Sequence, residues 1–186
     1  MKQLRITILA LASVGWAIAQ DVPPLEPLRG DAASLKDTMK FIQDKVHGNV
    51  NYVVYGHNNR TGGDVSQMRR FEISNVSSDA TRCSITFQEY FDNGIKGDIK
   101  DYELLLKPVQ NVVLQQMDQT LQQDSAKNGH PEMSIKVEPS IFLVVLYWEP
   151  KHRMMFNFYD DTLADRGTKA FQHAVDLCGG GNKDPF

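Results

Sequence analysis

Residues 82–89, Arg-Cys-Ser-Ile-Thr-Phe-Gln-Glu, carry the clearest structural signal in this chain of 186 residues. Cys83, Ile85 and Phe87 alternate with the polar residues around them. Side chains of a β-strand point to opposite faces in turn, so the pattern predicts a strand with one wet face and one buried face. It also places Cys83 in the core or at its edge.

Further segments rich in β-branched and aromatic residues predict strands on both sides of this one. They lie at residues 50–55, 70–76, 102–106, 134–137, 141–148 and 154–159. The run 141–146 is apolar on both faces, which indicates a central strand covered on both sides. Residues 111–123 fit either a strand or a helical face, and we expect a strand that runs into a loop. We expect residues 124–131 to form a loop.

A helix is predicted at each end of this β-rich region. Ser34 and Asp37 form the pattern of a capping box, as do Thr162 and Asp165. Apolar residues follow each pattern at helical spacing. The order of one helix, about seven strands and one helix predicts an α+β, mainly β domain. Its strands would pair mostly antiparallel in a curved sheet or partly open barrel, with a closing C-terminal helix.

The first 19 residues have the three-part layout of a secretory signal peptide: a basic start, an apolar stretch and small residues up to Ala19. The apolar stretch is shorter than the roughly 20 residues that a membrane-spanning helix needs, and no second long one follows. We therefore expect a secreted or periplasmic protein without an integral membrane segment after signal removal. Residues 20–33 would be a linker, residues 34–181 a single domain and residues 182–186 a flexible tail.

The charge balance limits the classes of partner. The chain has 20 basic and 23 acidic residues, and loss of Lys2 and Arg5 with the signal leaves 18 and 23, a net charge of −5. This balance provides no general attraction to nucleic acid or to anionic lipid, so we expect no nucleic-acid partner. A protein partner and a small apolar ligand remain as alternatives.

Cys83 and Cys178 are the only cysteines. In an oxidising compartment an even cysteine count predicts a disulfide between them, and two buried free thiols are the alternative. Closing a loop of this length would contribute roughly 3–5 kcal/mol to stability.

Three segments resemble known proteins: residues 34–42 (SLKDTMKFI), 158–166 (FYDDTLADR) and 169–174 (KAFQHA). They resemble the opening helix, the closing strand and the closing helix of uncharacterised bacterial secreted proteins, and the element order resembles a pleckstrin-homology-like domain. The resemblance implies two bent antiparallel sheets, seven strands and a closing helix. It implies no activity, because one fold supports many functions. Phosphoinositide binding is not implied, since no basic strand–loop–strand cluster is present.

Sequence patterns for catalysis, metal binding or cofactor binding are missing, so we predict no catalytic residue, metal or cofactor. His57 and Asp64 could meet at a metal site, but a polar loop position explains His57 without one. Asp160 and Asp161 are adjacent carboxylates at a predicted helix start, where capping accounts for them better than acid–base catalysis does. The basic clusters at 69–70 and 151–153 could bind an anionic partner, but we expect solvated turns, which are the commoner case.

Three functional hypotheses follow. The first is a non-enzymatic secreted or periplasmic domain that binds a protein partner or scaffolds an assembly. The second is a small-ligand or lipid carrier that uses the concave face of the sheet. It is suggested by seven aromatic residues, Tyr52, Tyr55, Phe142, Tyr147, Trp148, Phe156 and Phe158. The third is a hydrolase whose site residues are dispersed along the chain.

Overall fold

The computed structural model describes residues 33–92, 96–149 and 152–181. Ala33 begins the compact unit to which all of these residues belong. The expected signal peptide, the expected linker apart from Ala33, and the expected C-terminal tail lie outside the described residues.

Within these ranges the chain forms three helices and eight strands. In chain order they are α1 (Leu35–Val46), β1 (Gly48–Asn58), β2 (Gly63–Asp79), β3 (Ser84–Asp92), β4 (Gly97–Leu105), β5 (Asn111–Gln116), α2 (Met117–Lys127), β6 (Met133–Glu138), β7 (Phe142–Glu149), β8 (His152–Phe158) and α3 (Asp161–Leu177). The predicted α+β, mainly β class with a helix at each end is confirmed. Eight strands are present where about seven were expected.

The strands form two open antiparallel sheets. The five-stranded sheet has the order β4-β3-β2-β1-β6, and the three-stranded sheet has the order β5-β7-β8. β7 is the central strand of its sheet, as its two apolar faces predicted. The long strand β2 carries a bulge between Ser74 and Ser77, with Asn75 at a φ of 53°. Such a bulge bends a strand and increases its twist.

Helix α2 shows where the sequence-based prediction was wrong. We expected residues 111–123 to run from a strand into a loop, and β5 instead ends at Gln116 with a helix after it. Gln116, the N-cap residue, makes no capping hydrogen bond through its side chain, so the usual start signal is missing from the sequence. The start is fixed by the backbone N–H of Met117, which donates to the carbonyl of Ile141 at 2.9 Å. A contact between distant segments therefore decides this helix.

Helix α2 also covers the outer edge of β6 through Gln122. The side-chain oxygen of Gln122 accepts a hydrogen bond from the backbone N–H of Ile135 at 2.9 Å, and its amide donates to the carbonyl of Met133. These backbone groups face away from β1, where a neighbouring strand would otherwise bind them. The side chain thus completes the edge and holds α2 beside the five-stranded sheet.

Helices α1 and α3 begin where the sequence predicted, with one difference in capping. The hydroxyl of Ser34 accepts a hydrogen bond from the backbone N–H of Asp37 at 3.2 Å, as predicted. At α3 the cap is Asp160, whose carboxylate accepts from the backbone N–H of Leu163 at 2.6 Å, and not Thr162. Aspartate is a stronger N-cap than threonine and its charge suits the positive end of the helix dipole.

Cys83 lies just before β3 and not within it, because its φ of 52° belongs to the turn that precedes the strand. The alternation then starts at Ser84, which is buried although its position in the pattern predicted a wet side chain. The sulfur atoms of Cys83 and Cys178 are 2.13 Å apart, which is disulfide bonding distance. The two predicted partners therefore meet between the start of β3 and the end of α3.

The glycines after α3 stop the helix and also allow a close approach. A Cβ atom added to Gly180 would lie 2.9 Å from the carbonyl oxygens of both Leu106 and Val109. The next N–H, that of Gly181, donates to the Val109 carbonyl at 2.8 Å. The segment after α3 thus packs directly on the backbone between β4 and β5.

The core is organised around three contacting rings, those of Phe87, Phe156 and Phe171, which we call the aromatic stack. The Phe156 and Phe171 rings are stacked, whereas Phe87 meets Phe156 edge-on. The Phe156 ring on β8 lies 5.4 Å from that of Phe87 on β3 and 4.9 Å from that of Phe171 on α3, centroid to centroid. All three side chains are buried. At Gly167 helix α3 packs on Phe158 and Val144, as its small residues predicted.

Candidate functional site

A half-open cleft of about 600 Å³ lies beside the aromatic stack. One wall is the inner face of the five-stranded sheet, and the other is formed by β7, β8 and the first turns of α2. Pockets for small molecules are typically clefts of roughly 300–1,000 Å³ with mostly apolar linings and a few polar groups. The cleft has this size, and its lining has this composition.

The apolar part of the lining comes from both walls. Phe71, Phe91 and Tyr102 project from the five-stranded sheet, and Met117, Trp148 and Met155 lie opposite. Methionine and aromatic side chains present large, adaptable apolar contact surfaces. These two walls can therefore accommodate a flat or extended apolar molecule.

The seven aromatic residues that suggested a concave binding face have separate locations. Tyr52 and Trp148 line the cleft. Phe156 and Phe158 are buried in the core, and Phe142 and Tyr147 are half-buried against it. Tyr55 is exposed, with 42% of its surface accessible. The structure thus brings together two of the seven and adds phenylalanines that the hypothesis did not include.

Arg69 is the first polar group of the cleft. It lies directly opposite Tyr52 in the pairing of β1 with β2. Its Nη2 donates to the side-chain oxygen of Gln67 at 3.1 Å, and its Nε is buried with no hydrogen-bond partner among the described residues. No carboxylate in the described part of the chain forms an ion pair with this guanidinium. Burial raises the pKa of the Tyr52 hydroxyl, and the charge of the adjacent Arg69 and a hydrogen bond from its guanidinium partly oppose that rise.

Arg153, the second arginine of the cleft, has its charge balanced. Its guanidinium forms an ion pair with the carboxylate of Asp124 on α2, and each side chain is 30% exposed. This hydrogen-bonded contact raises the pKa of Arg153. The pair joins α2 to β8 at the rim of the cleft, and it leaves Arg69 as the lining arginine without an ion-pair partner.

Glu89 places a carboxyl group on the wall that carries Arg69. It is opposite Ile73, two side-chain steps along β2 from Arg69, so the ring of Phe71 lies between the two charged positions. Burial raises the pKa of Glu89, and the charge of Lys100 on β4 partly opposes this. Burial and the Glu89 charge raise the pKa of the neighbouring Tyr102 hydroxyl.

Sequence reasoning missed Arg69 and Glu89 as cleft residues, although the alternation of side chains along a strand indicates their position. Arg69 is two and four residues before Phe71 and Ile73, and Glu89 is two residues after Phe87, so each lies on the same face of its strand as these apolar residues. The predicted second strand began at Arg70, whereas β2 begins at Gly63, so Arg69 was assigned to a turn. Extending the alternation by one residue places it in the cleft.

The predicted basic cluster at 69–70 is therefore split between the two faces of β2. Arg70 points to the outer face, where its guanidinium contacts the carboxylate of Glu72 at 2.8 Å and lies 5.4 Å from the ring centroid of Tyr90. In the second cluster, Lys151 is outside the described residues and Arg153 pairs with Asp124. The described members of the two clusters lie in strands and not in turns: Arg69 and Arg70 in β2, and His152 and Arg153 in β8.

His57 and Asp64 do meet, at the far end of the β1–β2 hairpin, where His57 Nδ1 lies 2.6 Å from Asp64 Oδ1. Ser134 pairs with His57 on the other side, which gives a Ser–His–Asp row across three strands. The Ser134 hydroxyl accepts a hydrogen bond from Asn59 at 2.8 Å, and no described contact joins it to His57. The Asp64 side chain is 81% exposed. A catalytic triad needs a nucleophile bonded to its base and an aspartate shielded from water, and this row has neither.

No protein-family model, curated protein or solved structure matches this chain. In the described ranges no group of three histidine, cysteine or carboxylate side chains is placed to hold a metal ion. The same ranges contain no helix long and apolar enough to cross a membrane. The functional interpretation therefore rests on the geometry of the cleft.

Proposed function

We propose that this protein is a non-enzymatic carrier that binds a small amphipathic molecule in the cleft between its two sheets. The observation that carries the proposal is the half-open cleft of about 600 Å³, lined by aromatic and methionine side chains with few polar groups. A core that needed only stability would fill this space, because protein interiors pack with few voids larger than a water molecule. A space of this size that stays open is consistent with a ligand.

The proposed place of action is outside the cytoplasm, as a secreted or periplasmic protein. The signal-peptide pattern in residues 1–19 supports this location. The bonding distance between the Cys83 and Cys178 sulfur atoms also supports it, because stable disulfides form in oxidising compartments. A carrier in such a compartment would move or store an amphipathic molecule in an aqueous space.

The polar groups of the cleft favour binding over catalysis. On the five-stranded sheet they are guanidinium, phenol and carboxyl groups, with Arg69 and Glu89 separated by the ring of Phe71. The opposite wall adds Asn157 and Arg153, whose guanidinium is held by Asp124. A hydrolase needs its nucleophile, base and oxyanion donors within hydrogen-bond reach of one reacting atom. Groups this far apart on one wall are better suited to orient a bound molecule.

A second candidate function is the partner-binding domain favoured by sequence alone. The observation in its favour is an exposed apolar pair on the outer face of the five-stranded sheet. Met68 is 69% exposed and Tyr55 is 42% exposed, and they are diagonal neighbours on β2 and β1. A protein partner could cover this face without occupying the cleft. The pleckstrin-homology-like relationship is compatible with either function and remains a prediction.

The two candidates are separated by native mass spectrometry of the protein purified from its own host. The carrier proposal expects a retained small molecule that dissociates on mild heating, whereas the partner-binding proposal expects a stoichiometric protein complex. Trp148 supplies an independent signal, because it is the only tryptophan in residues 20–186 and it lines the cleft. Adding the released molecule back should change Trp148 fluorescence. A protein that carries nothing and whose Trp148 responds to no amphipathic probe would overturn the carrier proposal.

A further inference from the structure

We infer that the ligand of the cleft is an organic monoanion, such as an aliphatic or aromatic carboxylate, whose charged group binds Arg69 while its apolar body lies on the aromatic wall. The inference rests on the proposed function and narrows it to one ligand class. It assigns Arg69 as the residue that determines specificity for charge.

The state of the Arg69 guanidinium is the main support. An arginine inside a protein is normally paired with a carboxylate, because burying an unpaired charge is costly. Arg69 has no ion-pair partner in the described part of the chain, and its Nε is buried without a hydrogen bond. A planar guanidinium offers a fork of N–H donors that matches the two oxygens of a carboxylate. A bound anion would supply the ion-pair partner that Arg69 lacks among the described residues.

The neighbours of Arg69 define where the anionic group sits. The Tyr52 hydroxyl is directly across the strand pair and can donate a further hydrogen bond to the same anion. Arg153 is already held by Asp124, so it does not compete as a second strong anion site. These contacts make the Tyr52–Arg69 pair the cationic end of the cleft.

Glu89 defines the opposite end and so fixes the direction of the ligand. Glu89 is opposite Ile73, which is four residues along β2 from Arg69, so the two charged positions are about 14 Å apart. The carboxyl group of Glu89, when ionised, would repel the anionic group of the ligand. Phe71 and Phe91 provide the apolar surface between the two ends of the cleft. The bound molecule therefore lies with its charge at Arg69 and its apolar body extending towards Glu89.

The test uses two fluorescent probes with the same aromatic framework. One is 8-anilinonaphthalene-1-sulfonate, which carries an anionic group, and the other is N-phenyl-1-naphthylamine, which does not. We expect the wild-type protein to bind both probes and to bind the sulfonate at least about tenfold more tightly. We expect Arg69→Met, which keeps the length of the side chain and removes its charge, to abolish this preference by weakening the sulfonate, while the neutral probe still binds.

Arg70→Met is the matched control, because Arg70 is the next residue on the same strand and points to the outer face. This variant should keep the wild-type preference for the sulfonate probe. Retained binding of the neutral probe also verifies that each variant has folded. If Arg69→Met does not fold, displacement of the neutral probe from wild-type protein by dodecanoate and by dodecanol provides the same comparison, with the carboxylate expected to compete at least about tenfold better.

The possible failures are distinguishable. If neither probe binds the wild-type protein, the proposed carrier function fails and this inference fails with it. If both probes bind equally well, the carrier function stands and the anionic ligand class is wrong. A preference for the sulfonate that survives in Arg69→Met, or that is also lost in Arg70→Met, would overturn the assignment to Arg69.

Discussion

The inner face of the five-stranded sheet is packed at one end and open at the other, although a single strand supplies a phenylalanine to each end. On β3, Phe87 joins the aromatic stack with Phe156 and Phe171, and Phe91 lines the cleft. The two residues are four positions apart on one strand, so their side chains lie on the same face of the sheet. The sequence period that identifies an apolar face therefore does not distinguish a filled core from a binding surface.

The difference comes from what lies opposite each phenylalanine. Phe87 faces a ring from β8 that is itself backed by helix α3, so each neighbour is held in place by another apolar group. Phe91 shares its end of the face with Arg69, whose charged side chain needs a partner and cannot be packed in a dry core without one. Charged residues on the apolar face mark the part of the sheet that is kept open.

The largest expected effect is on stability and compares these two phenylalanines. Phe87→Ala should lower the free energy of unfolding by roughly 3–5 kcal/mol, because Phe87 is 2% exposed and its removal leaves a cavity between packed rings. Phe91→Ala should cost only about 1 kcal/mol, since its side chain already borders open space. Denaturant titration of both variants measures the difference.

The same two variants should show the reverse order in ligand binding. Phe91→Ala removes a cleft wall and is expected to weaken binding of N-phenyl-1-naphthylamine, whereas Phe87→Ala, measured at a temperature where it is folded, should leave that binding nearly unchanged. Equal losses of stability in the two variants would contradict the division of this face into a packed end and an open end.

The next effect concerns the cysteine pair, which joins the elements of the packed end. Cys83 precedes the strand that carries Phe87, and Cys178 follows the helix that carries Phe171, 95 residues later in sequence. Replacing both with serine should lower the free energy of unfolding by roughly 2–5 kcal/mol, because a long loop is no longer closed in the unfolded state. Probe binding to the folded double variant should not change.

Peptide mapping of the mature protein under non-reducing conditions gives the direct check of this pair. A peptide that contains both Cys83 and Cys178 is expected. Recovery of both residues as free thiols would show that the pair is not oxidised in the mature protein, and the serine variant should then lose little stability.

The smallest effect is a pH dependence that originates in the cleft. Burial raises the pKa of Glu89 in the folded protein above its ordinary value of 4.5, so the folded state holds this proton more tightly than the unfolded state does. Stability contributed by Glu89 is therefore present at low pH and is lost as the pH rises from about 4.5 through the raised value. Relative to Glu89→Gln, the wild-type protein should therefore lose stability as the pH rises above about 4.5.

The size of this change should stay below about 1 kcal/mol, because the carboxyl group is partly open to solvent, which screens its interactions. Denaturant titrations of wild type and Glu89→Gln at several pH values measure it. A difference that is constant with pH, or that grows in favour of the wild type as the pH rises, would show that the carboxyl of Glu89 is not buried in the cleft wall.

Local sequence signals predicted much of this fold. The alternation around Ile85 and Phe87 located a strand of the five-stranded sheet, and the cap at Ser34 located the start of α1. These predictions succeeded because a period of two and a capping hydrogen bond each depend on residues a few positions apart. Helix α2 was not predicted, because its first N–H bonds to Ile141, more than twenty positions away.

The candidate site was less accessible to sequence reasoning than the fold. Trp148 and Tyr52 were proposed as lining residues, but Phe156 and Phe158 were proposed on the same grounds and lie in the core. Aromatic composition is the same for a core and for a binding wall, so it cannot separate them. In the sequence Arg69 is one of two adjacent arginines, and only its spacing of two residues from Phe71 distinguishes it from Arg70.

By itself, the sequence determined most of the strands, both terminal helices and which apolar side chains of the clearest strands face the interior. It also indicated a route out of the cytoplasm and one possible pair of cysteines. The tertiary structure alone decided that β8 and α3 fill one end of the inner face, and that the other end remains a cleft holding an arginine without an ion-pair partner. The physical reason is that periodicity and capping act between near neighbours, whereas packing and charge pairing depend on which distant segments meet.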